Sequence, residues 1–262
     1  MKKLDLQVFT LFFVSLLLLS SCSKGEEQDT QEGSTFGIVR FDIDSNKLLL
    51  DVNNEDSFYS YLFSMKKDGD CFWVSYKIDK TREENSNEKR AANGYYTVNI
   101  TEDPKDVDMW RMSSSSTDIS KPLLNEVEIN DPMWDGNYAY IKGKLCMFNV
   151  IEIPSDQNMN WELSYDQDNL STDEYTQSFY NVYLRATIRT EGIRSKSMVT
   201  LPNAFDVNDY MRMVANRVKD SGKSVFNLRV HYPSAISESG QITWDSKNSR
   251  DFLVSDILYD VK

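Results

Sequence analysis

One histidine, His231, stands among 262 residues. That count excludes metal centres built from histidine clusters, and any Ser-His-Asp or Cys-His relay would have to run through this one ring. Cysteine is nearly as scarce: Cys22, Cys71 and Cys146 are the only three, and no two of them fall at the spacing of a zinc site. Six prolines and ten glycines are too few for a collagen-like or low-complexity chain. P-loop, GxGxxG and HExxH patterns are all missing, so no phosphate cradle or zinc-protease helix is encoded. Basic clusters are missing as well. The net charge is -12, and acids outnumber bases within residues 36–117 too, which argues against a nucleic-acid partner. No cofactor and no metal are expected.

What is present begins at the amino terminus. Lys2 and Lys3 precede an apolar run from Val8 to Leu19, too short to span a bilayer and suited to the hydrophobic region of a signal peptide. The run ends in Leu19-Ser20-Ser21-Cys22, which resembles the lipobox of bacterial lipoproteins. That resemblance implies removal of residues 1–21 and acylation of Cys22 as the first mature residue. The alternative is an ordinary secretory signal in which Cys22 has no special role. An acidic chain has no electrostatic attraction to anionic lipid, so its membrane link has to be covalent. Residues 22–35 are polar, acidic and without aromatics, and read as the acylated cysteine followed by a flexible tether. Acids close behind Cys22 resemble the export signal of surface lipoproteins. The expected location is therefore the outer membrane, lipid-anchored and on the cell surface, with the periplasmic face as the alternative. An exported chain can pair Cys71 with Cys146; two unreactive thiols in strands is the other reading.

Beyond Thr35 the pattern has a period of two. Phe72, Val74, Tyr76 and Ile78 share one face of a strand, and Cys71, Trp73, Ser75 and Lys77 the other. Earlier strands are expected over residues 36–43, 48–52 and 57–63, and later ones over 95–100 and 107–111. Residues 81–90 read as a solvated loop. Five or six short strands in this span predict a small β-barrel over residues 36–117. Residues 113–116 and Lys121-Pro122 mark the boundary, and a β-sandwich is expected over residues 118–262. Its strands include 123–129, one long run over 137–148, 179–189 and 225–232. In these, Ala139, Ile141, Leu145 and Met147 are expected inward and Tyr138 and Tyr140 outward, with Asn227, Arg229 and His231 on a solvated face. One helix is expected: Asp206 caps it, Val207, Tyr210, Met211, Val214 and Val218 form a packing stripe, and Gly222 lies just past its end.

Several segments, in this order, resemble the NigD-like family of envelope lipoproteins: the lipobox and acidic tether; Lys67-Asp68-Gly69-Asp70-Cys71-Phe72-Trp73-Val74-Ser75-Tyr76; Asn130-Asp131-Pro132-Met133-Trp134-Asp135-Gly136-Asn137-Tyr138; Val182-Tyr183-Leu184-Arg185; and the strand from Val225 to Val230. The resemblance implies an oligonucleotide/oligosaccharide-binding-like (OB-like) barrel followed by a β-sandwich, and no established activity. The family name is associated with a bacteriocin locus, which suggests an immunity-like role. The helix near Val207–Lys219, Pro132-Met133 and the acidic loop over residues 165–174 depart from the family pattern.

Chemistry is thinly signposted. His231 reads as a partly exposed strand residue. Asp131, Asp135 and Glu162 are the carboxylates to consider for a glycoside-hydrolase pair, because Trp134 and Trp161 are near in sequence, yet none sits in an apolar run that would raise its pKa. Asp42-Ile43-Asp44-Ser45-Asn46 begins like a calcium loop, but Lys47 replaces the glycine and Asn53 the bidentate glutamate. The expected function is a non-catalytic binding module with a protein or a glycan as partner. Trp73, Tyr138, Tyr140 and Tyr183 are the candidate ligand-binding rings. The competing view places such rings in the interdomain seam or in cross-strand pairs.

Overall fold

The structure, a computed structural model, describes residues 29–114, 118–174 and 177–259. Cys22 and the signal segment lie outside the described residues. The first half is a small OB-like barrel built from β1 (Thr30–Asp42), β2 (Lys47–Asp51), β3 (Ser57–Tyr59), β4 (Cys71–Asp79), β5 (Tyr96–Thr97) and β6 (Asn99–Ile100), in the order β5-β3-β2-β1-β4-β6, with β7 (Lys105–Asp106) added to β4. The alternation of β4 decides its sidedness. Phe72, Val74 and Ile78 enter a core with Val39, Leu50, Phe58 and Phe63, while Cys71 faces away from it. Gly37 lets Leu50 fill this core, since a Cβ there would lie 2.4 Å from the Leu50 side chain.

Four sequence expectations for this half are corrected. The tether is shorter than residues 22–35, because Thr30–Thr35 already pair with Asp79–Val74 of β4. This stretch is polar and was unreadable from apolar alternation; cross-strand contacts such as Lys77 with Glu32 and Ser34 with Ser75 hold it. The strand expected over 57–63 stops at Tyr59, and a 3-10 turn, Tyr61–Met65, follows. The expected loop 81–90 contains a helix, α1 (Asn87–Asn93), whose start is capped by Ser86 accepting from the Lys89 N–H and whose end is turned by Gly94 at φ 74. Finally, β8 (Met109–Arg111) pairs with a strand of the second half, so the crossover precedes the expected boundary at residue 117.

The second half is a sandwich of two sheets. One has the order β10-β11-β15-β8, with β10 (Tyr138–Ile141), β11 (Lys144–Pro154) and β15 (Lys196–Asp206). The other is β12-β14-β16-β17, with β12 (Asn158–Ser164), β14 (Gln177–Thr190), β16 (Val225–Ile236) and β17 (Ile242–Asn248). Three short strands extend it: β9 (Glu126–Val127) and β13 (Ser171–Glu174) on β14, and β18 (Phe252–Leu253) on β16. The helix forms at the expected place, α2 (Asn208–Asp220), burying Tyr210, Met211, Val214, Ala215 and Val218 against the sandwich core, but its N-cap is Val207 without a side-chain cap, because the expected capping residue, Asp206, is the last residue of β15. A short further helix, α3 (Val254–Leu258), packs beside it. Only Glu126–Val127 of the strand expected over 123–129 is a strand.

The run over 137–148 is two strands rather than one. Lys142 at φ 47 and Gly143 at φ 83 fold it back as a two-residue hairpin turn, which requires positive φ at both positions. Tyr138 then opposes Met147 and Tyr140 opposes Leu145. Residues directly opposite share a face, so both tyrosines turn towards the sandwich core, reversing the expected facing. Ala139, Ile141 and Cys146 take the other face. There they meet Phe36, Ile38, Cys71 and Val107 of the barrel in a third apolar cluster, with Trp73 and Phe148 packed against it. Barrel and sandwich thus share a closed apolar seam.

Strand β14 has no solvated face along its central stretch. Every residue from Phe179 to Ala186 is buried. This strand pairs in parallel with β16 and is covered on both sides, the situation that gives continuous rather than alternating burial. Part of the cover is residues 118–126, held by Arg185. Its guanidinium makes a bidentate contact with Glu126 (2.6 and 2.5 Å) and donates to the Lys121 and Asp118 carbonyls, and both charged side chains are fully buried.

Candidate functional site

His231 lies on β16 beneath a small polar network. Its Nε2 is 3.0 Å from Asn181 Oδ1, its ring stacks on Tyr183 with centroids 5.0 Å apart, and Tyr183 meets the edge of Trp244. Burial, with Arg229 adding to it, holds the imidazole below its ordinary value of 6.5. The ring is therefore neutral in the folded protein at pH 7, occupied by an amide and an aromatic face. Because the unfolded chain takes up a proton at the ordinary value, it binds more protons than the folded chain just below that value. His231 thus contributes stability in full above 6.5, and loses it as pH falls from 6.5 towards the lower folded value. Denaturation midpoints measured on either side of that window should show this loss in the wild type and less of it in His231→Gln. As the chain has one histidine, its ring resonances report the titration directly.

The four candidate rings are placed in different surroundings. Trp73 meets Phe36 edge-on at 4.9 Å and Phe148 at 4.7 Å, at the seam. Tyr138 and Tyr140 are half-buried and both contact Phe252, and the Tyr138 hydroxyl accepts from the Arg250 N–H. Burial pushes the Tyr138 phenol above its ordinary value. Tyr183 is buried beside His231. The structure brings Tyr138 and Tyr140 together and places Trp73 and Tyr183 in other clusters.

The carboxylates considered for hydrolysis also fall apart. Asp131 bridges to β11 and pairs with Lys247 at 2.6 Å, while Glu162 lies on β12 in the opposite sheet, directly across from Arg185. The side chain of Asp135 lies outside the described residues. Asp42 is committed to its turn, accepting from the Ser45 N–H and hydroxyl and from Arg40; the Ser45 hydroxyl is the first reason its carboxyl sits below the usual range. Near the seam, a cleft of ≈ 730 Å³ is lined by Arg111, Lys142, Lys144, Asp206, Asp209 and Tyr210. Its charges are partly spent on one another, with Lys144 2.6 Å from Asp206, and Lys142 reaches the Asn54 carbonyl of the barrel.

A feature that sequence reasoning missed is the tip of the barrel. Phe41, Ile43, Tyr61, Leu62 and Met65 are all exposed, Ile43 at 83% and Met65 at 87%. The pairing of Asp42 with Lys47 and of Leu50 with Phe58 sets the β1–β2 turn and the 3-10 turn after β3 at one end of the barrel. Hydrogen bonds from Gly69 to the Val39 carbonyl and from the Phe41 N–H to Asp68 close that end. Thr30, opposite Asp79, stands at the other end of the same strand. The available signal was the cluster Tyr61-Leu62-Phe63-Ser64-Met65, whose apolar residues outnumber what one strand face can bury.

Residues 27–104 match the family model of a lipoprotein OB domain. An uncharacterized protein from Parabacteroides merdae is 22% identical, with a TM-score of 0.72 over 85% of this chain and 99% of its own. A putative lipoprotein from Bacteroides fragilis is 7% identical, with a TM-score of 0.57 over 84% of this chain and 97% of its own. A NigD-like immunity protein from Bacteroides caccae is 10% identical, with a TM-score of 0.48 over 81% of this chain and 91% of its own. At these identities the likeness concerns the fold. No curated protein matches the chain.

Proposed function

We propose that this chain is a lipid-anchored envelope protein that works by recognising another protein, non-catalytically, through the apolar tip of its OB domain. The anchor is Cys22, and the expected site is the outer membrane with the folded body on the cell surface. The observation that carries the reading is the exposed group Phe41, Ile43, Tyr61, Leu62 and Met65 at the end of β1 remote from Thr30. Exposed aromatic, aliphatic and methionine side chains gathered at one end of the barrel have the composition of a protein-binding core. His231, Asp131 and the two described cysteines are engaged elsewhere: His231 with Asn181 and Tyr183, Asp131 with Lys247, and both cysteines in the seam. An immunity-like role, the expectation set by the sequence resemblance, is one form such recognition takes.

A photo-crosslinking residue placed at Met65 in intact cells should trap one discrete protein species. Trapping should fall at least about tenfold when Tyr61→Ala and Leu62→Asp are added, as expected for loss of two anchor residues at ~1–2 kcal/mol each. A crosslinker at Lys80, near the opposite end, should trap nothing comparable. Equal labelling from both ends, or labelling indifferent to the added substitutions, would refute the tip as the binding surface. Glycan binding is the second reading, favoured by Tyr138 and Tyr140 side by side and by Trp134, 44% exposed, just before them. On a glycan array it calls for hits that disappear in Tyr138→Ala and persist in Leu62→Asp.

A further inference from the structure

We propose that Cys71 and Cys146 are joined by a disulfide in the exported protein, so that a covalent bond ties the OB domain to the sandwich through their shared seam. The two sulfurs are 3.9 Å apart, although 75 residues separate them in sequence. They come from different domains, Cys71 from the first residue of β4 and Cys146 from the third residue of β11. Both lie inside the apolar cluster that joins the halves. The cross-strand neighbours of Cys146 are the small residues Ala139 on one side and Ala204 on the other. A disulfide needs its sulfurs at about 2.05 Å, so oxidation has to draw the two side chains closer than the 3.9 Å at which they stand as thiols.

The proposal rests on the export reading, because such bonds form and persist in oxidising compartments. The oxidant is a disulfide-bearing donor of the envelope. One cysteine thiolate attacks a donor sulfur, giving a mixed disulfide and releasing one donor thiol. The second thiolate then displaces the other donor sulfur. Two electrons and two protons pass to the donor, which leaves as a dithiol. In the closed seam the reaction is suppressed. Cys146 is fully buried, and the Cys71 thiol beside it, with burial, pushes its thiol well above the ordinary range. Oxidation therefore belongs to the folding step, as barrel and sandwich come together and before the seam closes over the sulfurs.

Two arms test this. In the first, the full chain carrying Cys22→Ser is refolded in a glutathione redox buffer and digested without reductant. The expected product is a peptide pair linking Cys71 to Cys146, two hydrogens lighter than the free thiols. Reductant should lower the melting temperature of this material by on the order of 10 °C, and should not move that of Cys71→Ser/Cys146→Ser. Free thiols or glutathione adducts at equilibrium would refute the pairing. In the second arm, envelope fractions are denatured and alkylated with and without prior reduction. Protection of both cysteines until reduction is the supporting result, and alkylation without reduction overturns the proposal for the cell. Failure of export shows separately, as absence of the protein from that fraction, while the refolding arm still decides whether the two sulfurs pair.

Discussion

Glu126→Ala is expected to destabilise the protein by about 3–5 kcal/mol, because it strands a fully buried guanidinium without its counter-charge. Arg185 has no exposed surface, and it spends Nε and Nη2 on the Glu126 carboxylate. The same arginine donates to the carbonyls of Lys121 and Asp118, and Glu126 accepts from the Leu123 N–H. Loss of the carboxylate therefore loosens the whole segment from Asp118 to Glu126. In thermal unfolding the shift should be roughly 10 °C for a chain of this length. Limited proteolysis should show new cleavage within residues 118–126, which the wild type resists. Glu126→Leu combined with Arg185→Met should recover part of the lost stability, since an apolar replacement removes both charges together. A Glu126→Ala midpoint within a degree of wild type would show that the ion pair is not what holds the segment.

Phe36→Ala should cost a similar amount, about 3–5 kcal/mol, but through a cavity. Phe36 is 2% exposed and touches both Trp73 of the barrel and Phe148 of the sandwich, each with ring centroids 4.9 Å away. It is the ring on which the two halves close. Its removal should separate their unfolding, so that one calorimetric transition becomes two. Phe63→Ala, buried wholly inside the barrel core, serves as the control: it should lower the midpoint of the single transition without splitting it. If Phe36→Ala leaves a single transition with an unchanged midpoint, the seam is not a structural coupling.

Much of the architecture could be read from the residues, and the reasons for the misses are local. Phe72, Val74 and Ile78 announced β4, and Tyr210, Met211, Val214 and Val218 announced α2, because each set repeats at the period of its element. Thr30–Thr35 did not announce itself, since a polar strand takes its register from the neighbour it pairs with. The turn at Lys142-Gly143 reversed the facing of Tyr138 and Tyr140, because period two continues unbroken through a two-residue turn while the chain changes direction. Nothing local in the sequence marks Arg185 as buried, and only a distant segment of chain shows that it is enclosed. The candidate site was the least legible. Its rings are expected to be available to a ligand, yet Tyr138 and Tyr140 face the sandwich core, Trp73 packs at the interdomain seam, and Tyr183 lies against His231 and Trp244. The barrel tip escaped notice because exposure at the end of a barrel has no periodicity.

The early start of β1 sets a geometric limit on an anchored molecule. Between Cys22 and Thr30 only seven residues intervene. Fully stretched, they reach about 25 Å, at ~3.5 Å per residue. A body on so short a leash cannot sweep the surrounding space in search of its target. With the anchor at Cys22 proposed above, it would stay beside the bilayer, and whatever it meets would have to reside in the same membrane or be delivered to it.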